Sequence, residues 1–127
     1  MGIKEFICLF TSIFMLINKT QNKRVTNRIK ILNSDISKAI GLMFHKKPKN
    51  TAYIFPFKQN VKDSIHNFFV FFPINLIFLD KDKKVIYTKR LNPFEIHYPK
   101  KKFKYMIELT EDYNIKPNDV LDWKQNI

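Results

Sequence analysis

From residue 15 onward, short apolar stretches alternate with clusters of Lys, Asn, Asp and Pro, which is the pattern of many short strands joined by turns. Met15-Leu16-Ile17-Asn18 reads as a first strand and Lys19–Lys23 as a polar turn. Val25, Asn27, Ile29 and Ile31 then alternate with Arg24, Thr26, Arg28 and Lys30. Period two with charges on one side predicts a half-buried strand that completes a hairpin. Ser34 or Asp35 offers an N-cap, and Ile36, Ala39, Ile40 and Met43 share one helical face, so a short helix is predicted to end near Gly41–Phe44. His45–Thr51 is a basic loop. Ala52–Phe57 is predicted as a strand whose Pro56 marks an edge or a bend, and Val61–Ser64 is a second polar connection.

Phe68–Leu79 is apolar on both faces apart from Asn75, with Pro73 dividing it. Its length alone would suit a helix, but its aromatic and β-branched content and the internal proline predict bent or paired strand. Asp80–Lys83 turns the chain into a strand over Val85–Arg90, and Asn92–Lys102 is a long irregular connection with Pro93 and Pro99. Phe103, Tyr105, Ile107 and Leu109 point one way, with Lys102, Lys104 and Glu108 the other, giving the clearest strand in the chain. Thr110 caps a single turn with Glu111 and Asp112, Pro117-Asn118 turns the chain, and Val120–Trp123 closes the sheet. The expected fold is α+β but mainly β: a small curved antiparallel or mixed sheet, or a partial barrel, with one or two short helices.

Composition narrows this further. A chain of 127 residues, 45% hydrophobic with thirteen Phe, has enough apolar material to bury one core. The single cysteine, Cys8, excludes an internal disulfide and a Cys-based zinc site. A formal net charge of +12 suggests contact with polyanions such as nucleic acid or acidic membrane surfaces. Against that, twenty Lys stand beside three Arg, seventeen Ile, twelve Asn and two Ala. Those abundant residues are ones that A/T-rich codons supply, and Arg, the usual reader of nucleic acid, is scarce.

Residues 1–14 form a leader distinct from the single β-rich domain expected over 15–127. Phe6–Ile17 is too short for a membrane span but has the length of a signal-peptide core, with Lys4 before it. Glu5 weakens that reading, and no small-residue cleavage site follows. Three readings stay open: upstream sequence before a true start at Met15, an export signal or weak anchor over residues 3–17, or a buried extra element. With no stable membrane span, a cytoplasmic chain is expected, the alternative being export or membrane association through residues 3–17. The sequon Asn18-Lys19-Thr20 matters only if the chain is exported.

Three segments in order resemble one family. Gly41-Leu42-Met43-Phe44 is similar to the GLMF signature of domain of unknown function family 192 (DUF192). The stretch Ser64 to Asp80 resembles the family pattern S-x-W-M-x-N-T-x-x-P-L-D-x-x-F-x-D, and Tyr105–Leu109 with Asn118-Asp119-Val120 resembles its YVLEL…GD ending. The resemblance spans about Met15 to Trp123 and implies a mostly β fold of uncharacterised role, exported in some relatives and intracellular in others. It also favours Met15 as the first structural residue. His66 stands where the family often has Trp, Phe69-Val70 where it has Asn-Thr, Asn75 where it has Asp, and Asn118 where it has Gly. Because Asn75 cannot ionise, a carboxylate mechanism at that position would fail here.

Candidate chemistry is sparse. His45, His66 and His97 have no ligand-type spacing, and Glu95 with His97 is the one local pair that an extended backbone would put on one face. Asp80-x-Asp82 lacks the Gly and distal Glu of a calcium loop and is flanked by lysines. No nucleophile elbow, phosphate loop or dinucleotide fingerprint is present, and no cofactor is implied. The expected function is therefore a non-enzymatic binding or accessory domain. Its small-ligand pocket would lie where the Pro73 bend brings His66 and Asn75 near His45. A second reading is polyanion or nucleic-acid binding by Lys100, Lys101, Lys102 and Lys104, interleaved with Tyr98, Phe103 and Tyr105. A third is a hydrolase or metal site around His66, Glu95 and His97.

Overall fold

The computed structural model describes residues 14–32, 47, 49–61, 65–66 and 72–125. Among these residues the strands are β1 (Phe14–Asn18), β2 (Lys23–Thr26), β3 (Arg28–Ile31), β4 (Thr51–Val61), β5 (Ile65–His66), β6 (Ile74–Leu79), β7 (Val85–Leu91), β8 (Ile96–His97), β9 (Phe103–Leu109) and β10 (Leu121–Gln125). They form a three-stranded sheet in the order β10-β1-β2, a five-stranded sheet in the order β3-β4-β9-β6-β7, and a two-stranded ribbon of β5 and β8. Neighbouring strands run antiparallel except β3 and β4, which are parallel.

The two larger sheets pack through a mainly aliphatic core. Leu16, Val25 and Leu121 of the smaller sheet meet Ile54, Ile77, Ile107 and Leu109 of the larger one. The opposite face of the five-stranded sheet carries a second cluster with Tyr53, Phe55, Leu76, Phe78, Phe103 and Met106. The larger sheet is thus buried on both faces, which is why β6 is apolar on both sides apart from Asn75. The fold is mainly β, with two packed sheets and, among the described residues, no closed barrel. No helix occurs among the described residues. The helix predicted over Ser34–Phe44 lies outside them, as do residues 1–13 and the Phe68–Phe71 third of the apolar run.

Three local expectations are corrected. The strand predicted through Val25–Ile31 breaks at Asn27 and is shared between the two sheets. Thr26 Oγ1 donates to the Arg28 carbonyl at 2.9 Å, and the Asn27 N–H donates to Asn50 Oδ1 at 2.8 Å, so side chains satisfy the backbone at the bend. Pro56 lies within β4, opposite Tyr105 of β9 and two residues past Ile54, where the register with β3 ends, in keeping with the expected edge or bend. The register slips between Pro56 and Val61, which accommodates the missing N–H. Glu108, expected on a polar face, is 7% exposed, because both faces of the five-stranded sheet are covered by core clusters and β9 has no solvent side. Thr110–Asp112 form a bend and no helical turn.

The turns behave as their residues predict. Asp80 Oδ1 accepts the N–H groups of Asp82 and Lys84 at 2.8 and 3.0 Å, fixing the β6–β7 hairpin. Asn118 adopts φ 75°, a left-handed conformation that Asn tolerates and Gly adopts freely. At the seam, Asp119 Oδ2 accepts from Asn18 Nδ2 at 2.9 Å, Gln21 Nε2 at 2.9 Å and the Lys116 N–H at 3.0 Å. Asn18 is only 1% exposed, so the sequon asparagine is spent inside the fold.

Candidate functional site

Three strands of the larger sheet come together at one end. Asn75, near the start of β6, lies opposite Arg90, near the end of β7, and opposite Leu109, the last residue of β9. Beyond Leu109 the chain bends away through Thr110–Ile115 and leaves a cleft of about 300 Å³. The hydrophobic side chains of Ile77, Leu109 and Ile115 contribute to its lining. Its polar lining comes in two groups: Thr88, Lys89 and Arg90 from β7, and Glu111, Asp112, Tyr113 and Asn114 from the bend.

Asn75 gives the cleft its chemical character. Its amide nitrogen Nδ2 is buried and has no hydrogen-bond partner among the described residues. Leaving such a donor unsatisfied costs about 1–3 kcal/mol, so an acceptor there would be a favourable addition. The cations and carboxylates in the lining do not neutralise one another directly. Among the described residues the ion pair formed is Lys83 with Asp122 at 3.0 Å, on another part of the molecule. Asp112 Oδ1 accepts the Asn114 N–H at 2.8 Å, which stiffens the acidic wall. Burial, helped by the charge of Glu111, pushes the Tyr113 hydroxyl upward, so it stays a neutral donor.

Other titratable groups gather on the opposite face of the same sheet. The register sets Glu108 between Tyr53 of β4 and Leu76 of β6. Burial pushes the Glu108 carboxyl up to about 8. Burial and the nearby Glu108 also raise the Tyr53 hydroxyl. Farther along, Tyr87 Oη and His97 Nε2 share a hydrogen bond of 3.0 Å. The Tyr87 ring stacks on Phe78 at 4.4 Å between centroids, and burial takes its hydroxyl up to about 12. Burial, and then the charge of Lys89, lower His97, which favours neutral imidazole.

Of the residues expected from sequence to bind a ligand, Asn75 lines the cleft. His45 lies outside the described residues. His66 is placed by its backbone in β5, opposite Ile96 of β8, and its side chain lies outside the described set. Lys100, Lys101 and Lys102 are exposed and Lys104 is half-buried. The rings interleaved with them are taken up inside: Phe103 is fully buried, and Tyr105 packs edge-on against Trp123 at 5.2 Å. Glu95 Oε1 accepts the Asn92 N–H at 3.3 Å, while His97 turns to Tyr87. Among the described residues no three His, Cys, Asp or Glu side chains are grouped so as to hold a metal ion. Among them too, no helix is long and apolar enough to cross a membrane.

The DUF192 family model, described as "Uncharacterized ACR", matches residues 16–123. The chain belongs to the DUF192 family. Among its relatives, UPF0127 protein PH1112 of Pyrococcus horikoshii is 33% identical over 113 residues, covering 86% of this chain and 98% of the relative. A UPF0127 protein of Thermococcus sibiricus is 36% identical over 115 residues, covering 87% of this chain and 75% of the relative. Two solved structures share the fold. A putative transcription regulator from Sinorhizobium meliloti superimposes with a TM-score of 0.75 at 15% identity, covering 87% of this chain and 91% of that one. A protein of unknown function from Novosphingobium aromaticivorans does so with a TM-score of 0.72 at 18% identity, covering 87% and 83%.

In this DUF192 chain, sequence reasoning picked out Asn75 but missed Arg90, Glu111 and Asp112 as its neighbours. Nothing local marks them, since charged residues at the end of a strand and in a turn are ordinary. Their meeting depends on the β9-β6-β7 strand order, which the sequence pattern does not specify.

Proposed function

We propose that this DUF192 chain is a binding domain whose site is the Asn75 cleft, and that its ligand is a small zwitterion of amino-acid type. The unpartnered Asn75 amide carries this reading. A ligand carboxylate would accept from Asn75 and pair with Arg90, while a ligand ammonium would turn to Glu111 and Asp112. Such a molecule supplies both charges that the two walls leave unmatched. The cleft volume, about 300 Å³, lies at the small end of ligand sites. Thr88, Tyr113 and Asn114 add neutral hydrogen-bonding groups around it.

The test is a backbone-amide NMR titration of the full chain with free amino acids, acetate and ethylamine. Zwitterions are expected to shift the signals of Asn75, Arg90 and Glu111, with acetate and ethylamine binding roughly tenfold or more weakly, about 1.4 kcal/mol for each lost charge contact. Asn75→Leu is expected to abolish the shifts while raising stability by about 1 kcal/mol, because it removes an orphaned donor. No shift at these residues with any of the three probes at millimolar concentration would sink the proposal.

Polyanion binding is a second reading, supported by the exposure of Lys100, Lys101 and Lys102. The burial of Phe103 removes a ring that base stacking would need.

A further inference from the structure

We propose that the segment Phe94–Lys102 is a docking surface for an anionic lipid bilayer. Among the described residues, the exposed large hydrophobic side chains are Ile31, Phe94, Ile96 and Tyr98, so three of the four fall within five residues. Phe94 is 58%, Ile96 41% and Tyr98 68% exposed. They occupy every second position, and the residues between them and just after turn inward: Glu95 and His97 are partly buried and Pro99 is buried. The outward stripe therefore belongs to an anchored segment and is no frayed loop. His97 fastens its inner side through the Tyr87 hydrogen bond and its contact with Phe78, 5.6 Å between ring centroids. Phe94 holds φ 66°, an unfavourable conformation for an aromatic residue, at the point where its side chain is turned out.

The chemistry of the occupant follows from what adjoins the stripe. Lys100, Lys101 and Lys102 are all exposed and continue directly from it. Apolar side chains next to a lysine cluster match a bilayer interface, where Phe and Ile enter the acyl boundary, Tyr sits among the headgroups, and ammonium groups meet anionic phosphates. A nucleic-acid partner fits less well. Ile96, at the centre of the stripe, has no π-face on which a base could stack.

The decisive experiment is co-sedimentation of the full chain with vesicles of phosphatidylcholine alone or mixed with phosphatidylglycerol, repeated with a single-stranded oligonucleotide as competitor. The comparison uses two triple variants, Phe94→Ser/Ile96→Ser/Tyr98→Ser and Lys100→Glu/Lys101→Glu/Lys102→Glu, both at exposed sites and checked for folding by circular dichroism. Binding is expected to mixed vesicles and not to neutral ones, with each triple variant lowering the partition coefficient by roughly 10–100-fold. Residues 3–17 are common to all three proteins, so binding that persists in both variants would overturn the proposal. So would absence of binding to mixed vesicles. Displacement from mixed vesicles by the oligonucleotide, with binding lost in the lysine variant but kept in the apolar one, would also overturn it, in favour of nucleic acid.

Discussion

The two faces of the five-stranded sheet solve different problems with the same strands. The face against β10-β1-β2 is mainly aliphatic: Leu16, Val25, Ile54, Ile77, Ile107, Leu109 and Leu121 fill it, and polar groups gather at its end, around Asn75. The other face packs aromatic rings and keeps Glu108, Tyr53, Tyr87 and His97 among them. Adjacent residues of β9 separate the two environments, with Ile107 facing one and Glu108 the other. The first face can supply stability that is insensitive to pH. The second carries Glu108, Tyr53, Tyr87 and His97, whose charge states are displaced by burial, so it should contribute a pH response of its own. Asp119 and Asp122 at the smaller sheet add another: burial would raise their carboxyls, but hydrogen bonds outweigh it and keep them low.

Exchanging the chemistry of the two neighbours gives the largest expected effect. Ile107→Glu would put a carboxylate among the aliphatic side chains of that core. It should destabilise by roughly 4 kcal/mol or more, enough to unfold a domain of ordinary stability. Glu108→Leu should do the reverse and raise stability at neutral pH by roughly 1–3 kcal/mol, since it removes a desolvated acid. Urea melts of both variants check the pair. Equal losses in the two would mean that the faces do not differ as described.

The second effect is the pH dependence that Glu108 imposes. Its folded value is about 8 against an ordinary 4.5, so over that interval the unfolded chain releases a proton that the folded chain keeps. Stability from this group is therefore fully present below about 4.5, falls as pH rises, and levels off above about 8. Glu108→Gln should flatten that slope. Relative to the parent it should gain roughly 2–4 kcal/mol at alkaline pH and almost nothing in acid. Chemical denaturation between pH 5 and 9 reads this directly, and parallel curves for parent and variant would refute the assignment.

Glu108 also shows where the sequence stops being legible. The period-two pattern of Phe103–Leu109 announces a strand, and a glutamate among its alternating positions looks like a solvent-facing residue. The local signal against that was Met106, an apolar residue on the supposedly polar side. Whether the second face of a sheet is covered depends on long-range packing, on which the alternation is silent. For the same reason Val25–Ile31 was legible as extended but not as divided between sheets. Turns such as Asp80–Lys83 were readable because their hydrogen bonds close within four residues. The Asn75 cleft was half readable. A polar residue in an apolar run can be seen from sequence, whereas its Arg90 and Glu111 neighbours come from other parts of the chain.

The smallest effect concerns how the β5–β8 ribbon is held on the aromatic face. Tyr87→Phe keeps the ring that stacks on Phe78 and deletes the hydroxyl that shares the 3.0 Å bond with His97. The loss should be about 1 kcal/mol, the usual net value of one neutral hydrogen bond. It should appear locally before it appears globally. With His97 released, hydrogen exchange at Ile96 should quicken while amides of β9 keep their protection. His97 titrates in the opposite sense to Glu108. Its folded value lies below the ordinary 6.5, so the stability tied to its neutral form is present above 6.5 and lost as pH falls below it. Tyr87→Phe should leave that acid-side loss in place, because burial, the larger cause of the His97 shift, does not depend on the hydroxyl. If the variant instead removed the acid-side loss, the hydrogen bond rather than burial would govern His97, and the aromatic face would be tuned by a single contact.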